Sequence, residues 1–135
     1  MTTRETVAFV CLHGAAKSVI AARFFDRLAE ARGLGVRAVA LGTEPSAAIP
    51  GAVVSALLAD GIDARGVAPL PATADALAGA ARIVSFGCDL GAVAPGRTVE
   101  RWDDVPAVSE DYTAARDAIV GHLHAWLPGV AATAR

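Results

Sequence analysis

Val7-Ala8-Phe9-Val10-Cys11-Leu12-His13-Gly14-Ala15-Ala16-Lys17-Ser18 is the stretch on which the fold turns. Residues 7–10 are a short unbroken apolar run, the pattern of a strand buried on both faces. A cysteine ends the run, small residues make a turn, and a helical stretch begins. In that stretch Ile20, Phe24, Leu28 and Ala31 recur at helical spacing, and Gly33 offers a C-terminal stop. A strand that enters a helix through such a turn points backbone N–H groups inward, which makes an anion cradle. The same field favours a thiolate, so Cys11 is expected to be more acidic than a free cysteine. A thiolate beneath a bound tetrahedral oxyanion is placed to attack its central atom. Leu12, His13, Gly14, Ala15, Ala16, Lys17 and Ser18 are the expected oxyanion-binding residues. Ser18 either donates its hydroxyl to the thiolate or steadies the loop. His13 either helps hold the thiolate or points away.

Outward from this stretch, residues 36–41 read as a second strand closed by Gly42. Pro50 opens a helix with Val53, Val54, Leu57 and Leu58 on its apolar face, and Gly61 ends it. Residues 69–71 read as a loop. Thr73 caps a short helix over 75–80. Residues 83–86 form a third buried strand, and 98–101 a fourth, short and near an edge. Asp111 caps a last helix on which Tyr112, Ala115, Ile119, Leu123 and Trp126 share a face, and Pro128 is expected to stop it. Alternating strands and helices imply a mostly parallel sheet covered on both sides. The expectation is one flavodoxin-like three-layer α/β domain over residues 1–135, with a four-stranded, mostly parallel sheet. Its anion site lies at the carboxyl end of the first strand.

Composition agrees with this reading. The chain of 135 residues is 54% hydrophobic, enough for a substantial core. Its net charge is −2 with no block of like charge, which argues against nucleic acid or an anionic membrane surface as partner. No apolar run approaches the roughly 18–20 residues that span a bilayer. Residues 1–5 lack the hydrophobic segment of a signal peptide, so a cytoplasmic location is expected. Two cysteines make no disulfide framework; they are free thiols or redox partners. His122 and His124 stand two apart on a helix, poor spacing for metal ligands, and neither metal nor other cofactor is expected. Eleven of the twelve basic residues are Arg, which singles out Lys17 as the one lysine.

Cys11-x5-Lys17-Ser18 after a buried strand resembles the Cys-x5-Arg-Ser loop, or P-loop, of the low-molecular-weight tyrosine phosphatases and the thioredoxin-coupled arsenate reductases. The likeness continues in Leu41-Gly42-Thr43-Glu44-Pro45, in Gly61-Ile62-Asp63 and in the 83–88 segment ending at Cys88. It extends through Trp102-Asp103-Asp104-Val105-Pro106 and the start of the last helix at 111–119. The resemblance implies a cysteine nucleophile at Cys11 and a general acid at Asp104 or Asp103. In the arsenate reductases it implies a second thiol, at Cys88, that resolves a thiol–arsenic adduct by thiol exchange. The implied partners are a small oxyanion (arsenate, phosphate or sulfate) and, as reductant, thioredoxin or a small-molecule thiol. The chain departs from the pattern in three places. Lys17 stands for the arginine, which keeps the charge but loses the two-pronged grip on an oxyanion. Gly14 stands where the family often has Asn. Val105 separates Asp104 from Pro106. The favoured expectation is an arsenate reductase-like oxidoreductase. The alternatives are a phosphatase, that is a hydrolase, and a non-catalytic oxyanion-binding or regulatory protein. Cys88 has a plainer reading as a packed core thiol, and the two aspartates as solvated turn residues.

Overall fold

The computed structural model describes residues 5–133. Residues 1–4 lie outside it, and with them most of the segment read above for a signal peptide. Five strands form one sheet: β1 (Glu5–Cys11), β2 (Val36–Gly42), β3 (Leu70–Pro71), β4 (Arg82–Ser85) and β5 (Val99–Arg101). Their order is β3-β2-β1-β4-β5, and every pairing is parallel. The helices are α1 (Lys17–Ala31), α2 (Gly51–Ala59), α3 (Ala74–Ala78) and α4 (Tyr112–Thr133). The α/β sandwich expected from the sequence is therefore present. Among the described residues no helix is long and apolar enough to cross a membrane.

β1 is the central strand, and its side chains alternate between two cores. Val7, Phe9 and Cys11 face the larger one, with Ile20 and Phe25 of α1 and Ile119 and Leu123 of α4. Ala8 and Val10 face the smaller one, with Leu77 of α3, Leu90 and Cys88. Burial on both faces explains why residues 7–10 are all apolar rather than alternating. Phe9 is also the hub of an aromatic cluster, with Phe25, Phe86, Trp102 and Trp126 at centroid distances of 5.7–6.5 Å. β2 and β3 lie on one side of β1 and β4 and β5 on the other, so the strand order reverses at β1. Open α/β sheets bind ligands at the carboxyl ends of strands beside such a reversal.

Local signals account for most boundaries. α1 ends in a Schellman arrangement: Gly33 has φ +67°, Leu34 N–H bonds to Ala29 O at 2.9 Å and Gly33 N–H to Glu30 O at 3.1 Å. Thr73 caps α3 through Ala76 N–H at 3.1 Å, and Asp111 caps α4 through Ala114 N–H at 3.0 Å. Pro50 immediately precedes α2 rather than opening it, and its carbonyl accepts from Val53 and Val54.

Two expectations need correction. The sheet has five strands, not four, because Leu70 and Pro71 pair with Leu41 and Gly42. A two-residue strand has no periodicity to detect, and Pro71 is tolerated because the strand lies at the edge. Pro128 does not stop the last helix, which continues to Thr133. A proline removes one N–H bond, but Leu127 and Val130 are almost completely buried on either side of it. Burial of those side chains holds the turn that the backbone bond no longer holds.

Candidate functional site

The cysteine loop runs from the last residue of β1 to the first of α1. Three of its carbonyls are turned onto the segment after β2. Cys11 O accepts from Thr43 N–H at 3.2 Å, Leu12 O from Glu44 N–H at 2.7 Å, and His13 O from Ser46 N–H at 3.1 Å. The N–H groups of residues 12–16, by contrast, have no protein acceptor among the described residues. A short loop with its carbonyls bonded outward and its N–H groups free has the polarity of an anion cradle.

Two glycines make that geometry possible. Gly14 has φ +61°, and a Cβ there would come within 2.7 Å of Gly42 N. A Cβ on Gly42 would meet Gly14 N at 2.5 Å. The loop therefore rests directly on the end of β2, placed there by the β1–β2 register that pairs Cys11 with Gly42. Gly14 was legible as a turn residue. Gly42 was legible only as the end of a strand.

Cys11 is 7% exposed, and its Sγ lies 3.0 Å from Ser18 Oγ, itself fully buried in the first turn of α1. Cys11 lines a cleft of about 440 Å³ together with Leu12, His13, Ala15, Ala16 and Lys17. Phe86, Ser46 and Pro50 line it too, and Ala107, Val108 and Ser109 form its far wall. A second, apolar pocket of about 190 Å³ adjoins it through Ala16, Pro50, Val108 and Ser109. Lys17 has no carboxylate partner among the described residues, so its charge is available to the cleft. His13 turns Nδ1 to the Glu44 carbonyl at 3.1 Å.

The remaining sequence candidates lie around this cleft rather than in it. Cys88 follows β4, whose Ser85 pairs with Val10, so both cysteines sit at the carboxyl edges of neighbouring strands. Cys88 is buried in the smaller core, however, and does not line the cleft. Ser85 Oγ accepts from its N–H at 2.9 Å and donates to its carbonyl at 2.8 Å, which fixes the backbone. Burial pushes the Cys88 thiol up. Thr43 braces the loop, its N–H donating to Cys11 O at 3.2 Å and its hydroxyl to Leu12 O at 3.5 Å, a role the sequence did not suggest.

Asp103 and Asp104 are engaged elsewhere. Asp103 pairs with Arg101 at 3.0 Å. Asp104 Oδ1 lies 2.7 Å from His122 Nε2, and that hydrogen bond holds its carboxyl below the ordinary range. The His122 ring stacks on Trp102, 4.7 Å between centroids and 10° between planes. Neither aspartate lines the cleft, and among the described residues no carboxylate does. No group of three or more potential metal ligands occurs among the described residues.

Residues 6–88 match the family of low molecular weight phosphotyrosine protein phosphatases. No curated protein sequence matches the chain. Its fold is similar to that of YfkJ from Bacillus subtilis, with a TM-score of 0.86 at 18% identity over 99% of both chains. It is similar to a thioredoxin-dependent arsenate reductase of Corynebacterium glutamicum, with a TM-score of 0.78 at 22% identity over 96% of this chain and 63% of that one. It is also similar to the tyrosine phosphatase Wzb of Escherichia coli K30 in complex with sulphate, with a TM-score of 0.78 at 12% identity over 95% and 99% of the two chains. With more than half of its length matched, the chain belongs to the low molecular weight phosphotyrosine protein phosphatase family.

Proposed function

We propose that the protein is an arsenate reductase-like thiol enzyme, with Cys11 as the nucleophile toward a tetrahedral oxyanion. The observation that carries this reading is the Cys11 loop. A thiol 3.0 Å from a buried serine hydroxyl lies in a cleft with unpaired N–H groups and one free ammonium. The Cys11 thiolate attacks arsenic, an S–As bond forms, and a protonated oxygen leaves as water. Cys88 then attacks the Cys11 sulfur. The S–S bond forms, the S–As bond breaks, and its electron pair stays on arsenic, which falls from As(V) to As(III) as the two thiols become a disulfide. A dithiol of the thioredoxin class, or a small thiol, resets the pair, which suits a reducing cytoplasm.

Two features favour arsenate over a phosphate ester. Cys88 stands at the neighbouring strand end, where a second thiol serves reduction but not hydrolysis. The carboxylates that would protonate an ester's leaving group are held by Arg101 and His122, outside the cleft. The deciding experiment assays the purified protein on arsenate with thioredoxin or dithiothreitol, and on an aryl phosphate. Arsenite should appear, Cys11→Ser should abolish it, and Cys88→Ser should make it depend on added small thiol. Hydrolysis of the aryl phosphate without arsenite would assign the site to a phosphatase. Tight sulfate binding without either turnover would assign it to an oxyanion-binding protein.

A further inference from the structure

We infer that His13 is the proton donor of the Cys11 cleft, through Nε2, an inference that rests on the thiol-enzyme reading above. The argument begins with the tautomer. His13 Nδ1 faces the Glu44 carbonyl at 3.1 Å, and a carbonyl oxygen only accepts, so Nδ1 carries a hydrogen. In the neutral ring that makes Nε2 the basic nitrogen, and a second proton binds there. Nε2 has no protein partner among the described residues, and His13 is an exposed residue of the same cleft that Cys11 and Lys17 line. The tether matters as much as the free nitrogen. The His13 carbonyl accepts from Ser46 and its ring donates to Glu44, so backbone and side chain are both fixed to the segment after β2.

The rest of the cleft offers nothing equivalent. Ala107, Val108 and Ser109 on the far wall carry no charge, and neither do Phe86 and Pro50. The other titratable groups that line the cleft are Cys11 and Lys17, of the same loop and helix, and the His13 ring meets the Glu44 carbonyl of the neighbouring segment. A general acid works best when it titrates near the operating pH, and imidazole is the side chain that ordinarily does so, between about pH 5 and 8. An ammonium holds its proton too tightly near neutrality for the same task. In the proposed step the Cys11–arsenic bond forms, an arsenic–oxygen bond breaks, and the imidazolium gives its Nε2 proton to the departing oxygen. The neutral ring regains a proton from solvent before the next turnover. While protonated, the same nitrogen donates to the bound oxyanion, which adds a second cation to Lys17.

The test uses His13→Asn, because an asparagine amide reproduces the Nδ1 hydrogen bond to Glu44 and removes only the titrating nitrogen. In the native protein, arsenate turnover should fall as pH rises through the imidazole range. In His13→Asn, kcat should drop about 100-fold and lose that alkaline fall, while the contribution of arsenate's own ionisation stays common to both proteins. Sulfate binding, read in a Cys11→Ser background to exclude the thiol's titration, should weaken with rising pH. It should become flat in Cys11→Ser/His13→Asn. Sulfate is a dianion throughout this range, so its own protonation contributes nothing. Native turnover with an unchanged kcat and alkaline fall in His13→Asn would overturn the inference and leave the thiol-enzyme reading standing. A native protein inert on both arsenate and aryl phosphate would overturn both.

Discussion

At the scale of single residues, the cleft depends on a contact between two backbones. Gly14 and Gly42 approach so closely that a Cβ on either would sit 2.5–2.7 Å from the other's nitrogen. Gly42→Ala should therefore push the loop off β2 and cost about 1–3 kcal/mol of stability, as overpacking does. Sulfate binding should be lost with it. Chemical denaturation and sulfate titration of this variant check both parts, and a stable variant with intact binding would refute the account. The cysteines are about equally buried, at 7% and 9% exposed, but only Cys11 lines the cleft, and desolvation pushes the Cys88 thiol up. Alkylation by iodoacetamide at mildly acidic pH should map mainly to Cys11 by mass spectrometry. Labelling should reach Cys88 only in alkaline solution, where its raised ionisation is overcome. Equal labelling at acidic pH would show that its raised ionisation does not protect Cys88. The cysteine, serine and lysine of the loop were legible because they lie within eight consecutive residues. Thr43, Gly42 and the 107–109 wall were not, because parallel pairing brings them to Cys11 across distances that no local pattern encodes.

At the scale of elements, the sequence was most informative where a chemical group marks a boundary. The Thr73 and Asp111 caps and the Gly33 stop stand where they were expected. The short edge strand β3 and the continuation of α4 past Pro128 were not readable, because tertiary pairing and burial outweigh local preference there. A contact between the cap residue that ends α2, Asp60, and α4 is another product of folding. The Tyr112 hydroxyl donates to Asp60 at 2.9 Å, and Arg116 reaches the same carboxylate at 2.9 and 3.1 Å. Burial pushes the Asp60 carboxyl up, but the bonds from Tyr112 and Arg116 outweigh it and leave it below the ordinary range. A lowered carboxyl contributes stability that is present above its unfolded value, near pH 4, and is lost as pH falls through the folded value. Thermal denaturation between neutral and acidic pH should show this. Asp60→Asn should be less stable than native at neutral pH, and the difference should shrink as the solution is acidified below about pH 4. Tyr112→Phe should cost about 1 kcal/mol at neutral pH. A constant Asp60→Asn difference down to the acid transition would disprove the linkage.

For the whole molecule, an anion site built from folded backbone couples ligand binding to global stability. The proposed cradle needs β1, β2 and α1 in register, so an anion held there should bind the native state and not the unfolded chain. At a concentration of about 100 times the dissociation constant, such a ligand stabilises by roughly 2.7 kcal/mol. In a domain of this size each kcal/mol raises Tm by roughly 2–8 °C, so sulfate should produce a readily measured increase. Sulfate also stabilises proteins without binding them, because it is excluded from their surfaces. The control must therefore remove the site and keep the salt. Lys17 supplies the cleft's one ammonium and has no carboxylate partner among the described residues, so Lys17→Ala should remove most of the specific attraction and leave the fold intact. The expected result is a large, saturable sulfate shift in the native protein and a small, linear one in Lys17→Ala. Lys17→Arg should keep the saturable shift, because a guanidinium grips two oxyanion oxygens at once. Equal shifts in native and Lys17→Ala proteins would mean that exclusion accounts for the whole effect. In that case the loop's free N–H groups and the Lys17 charge would not act together as an oxyanion site, and the Cys11 chemistry would lose its binding step.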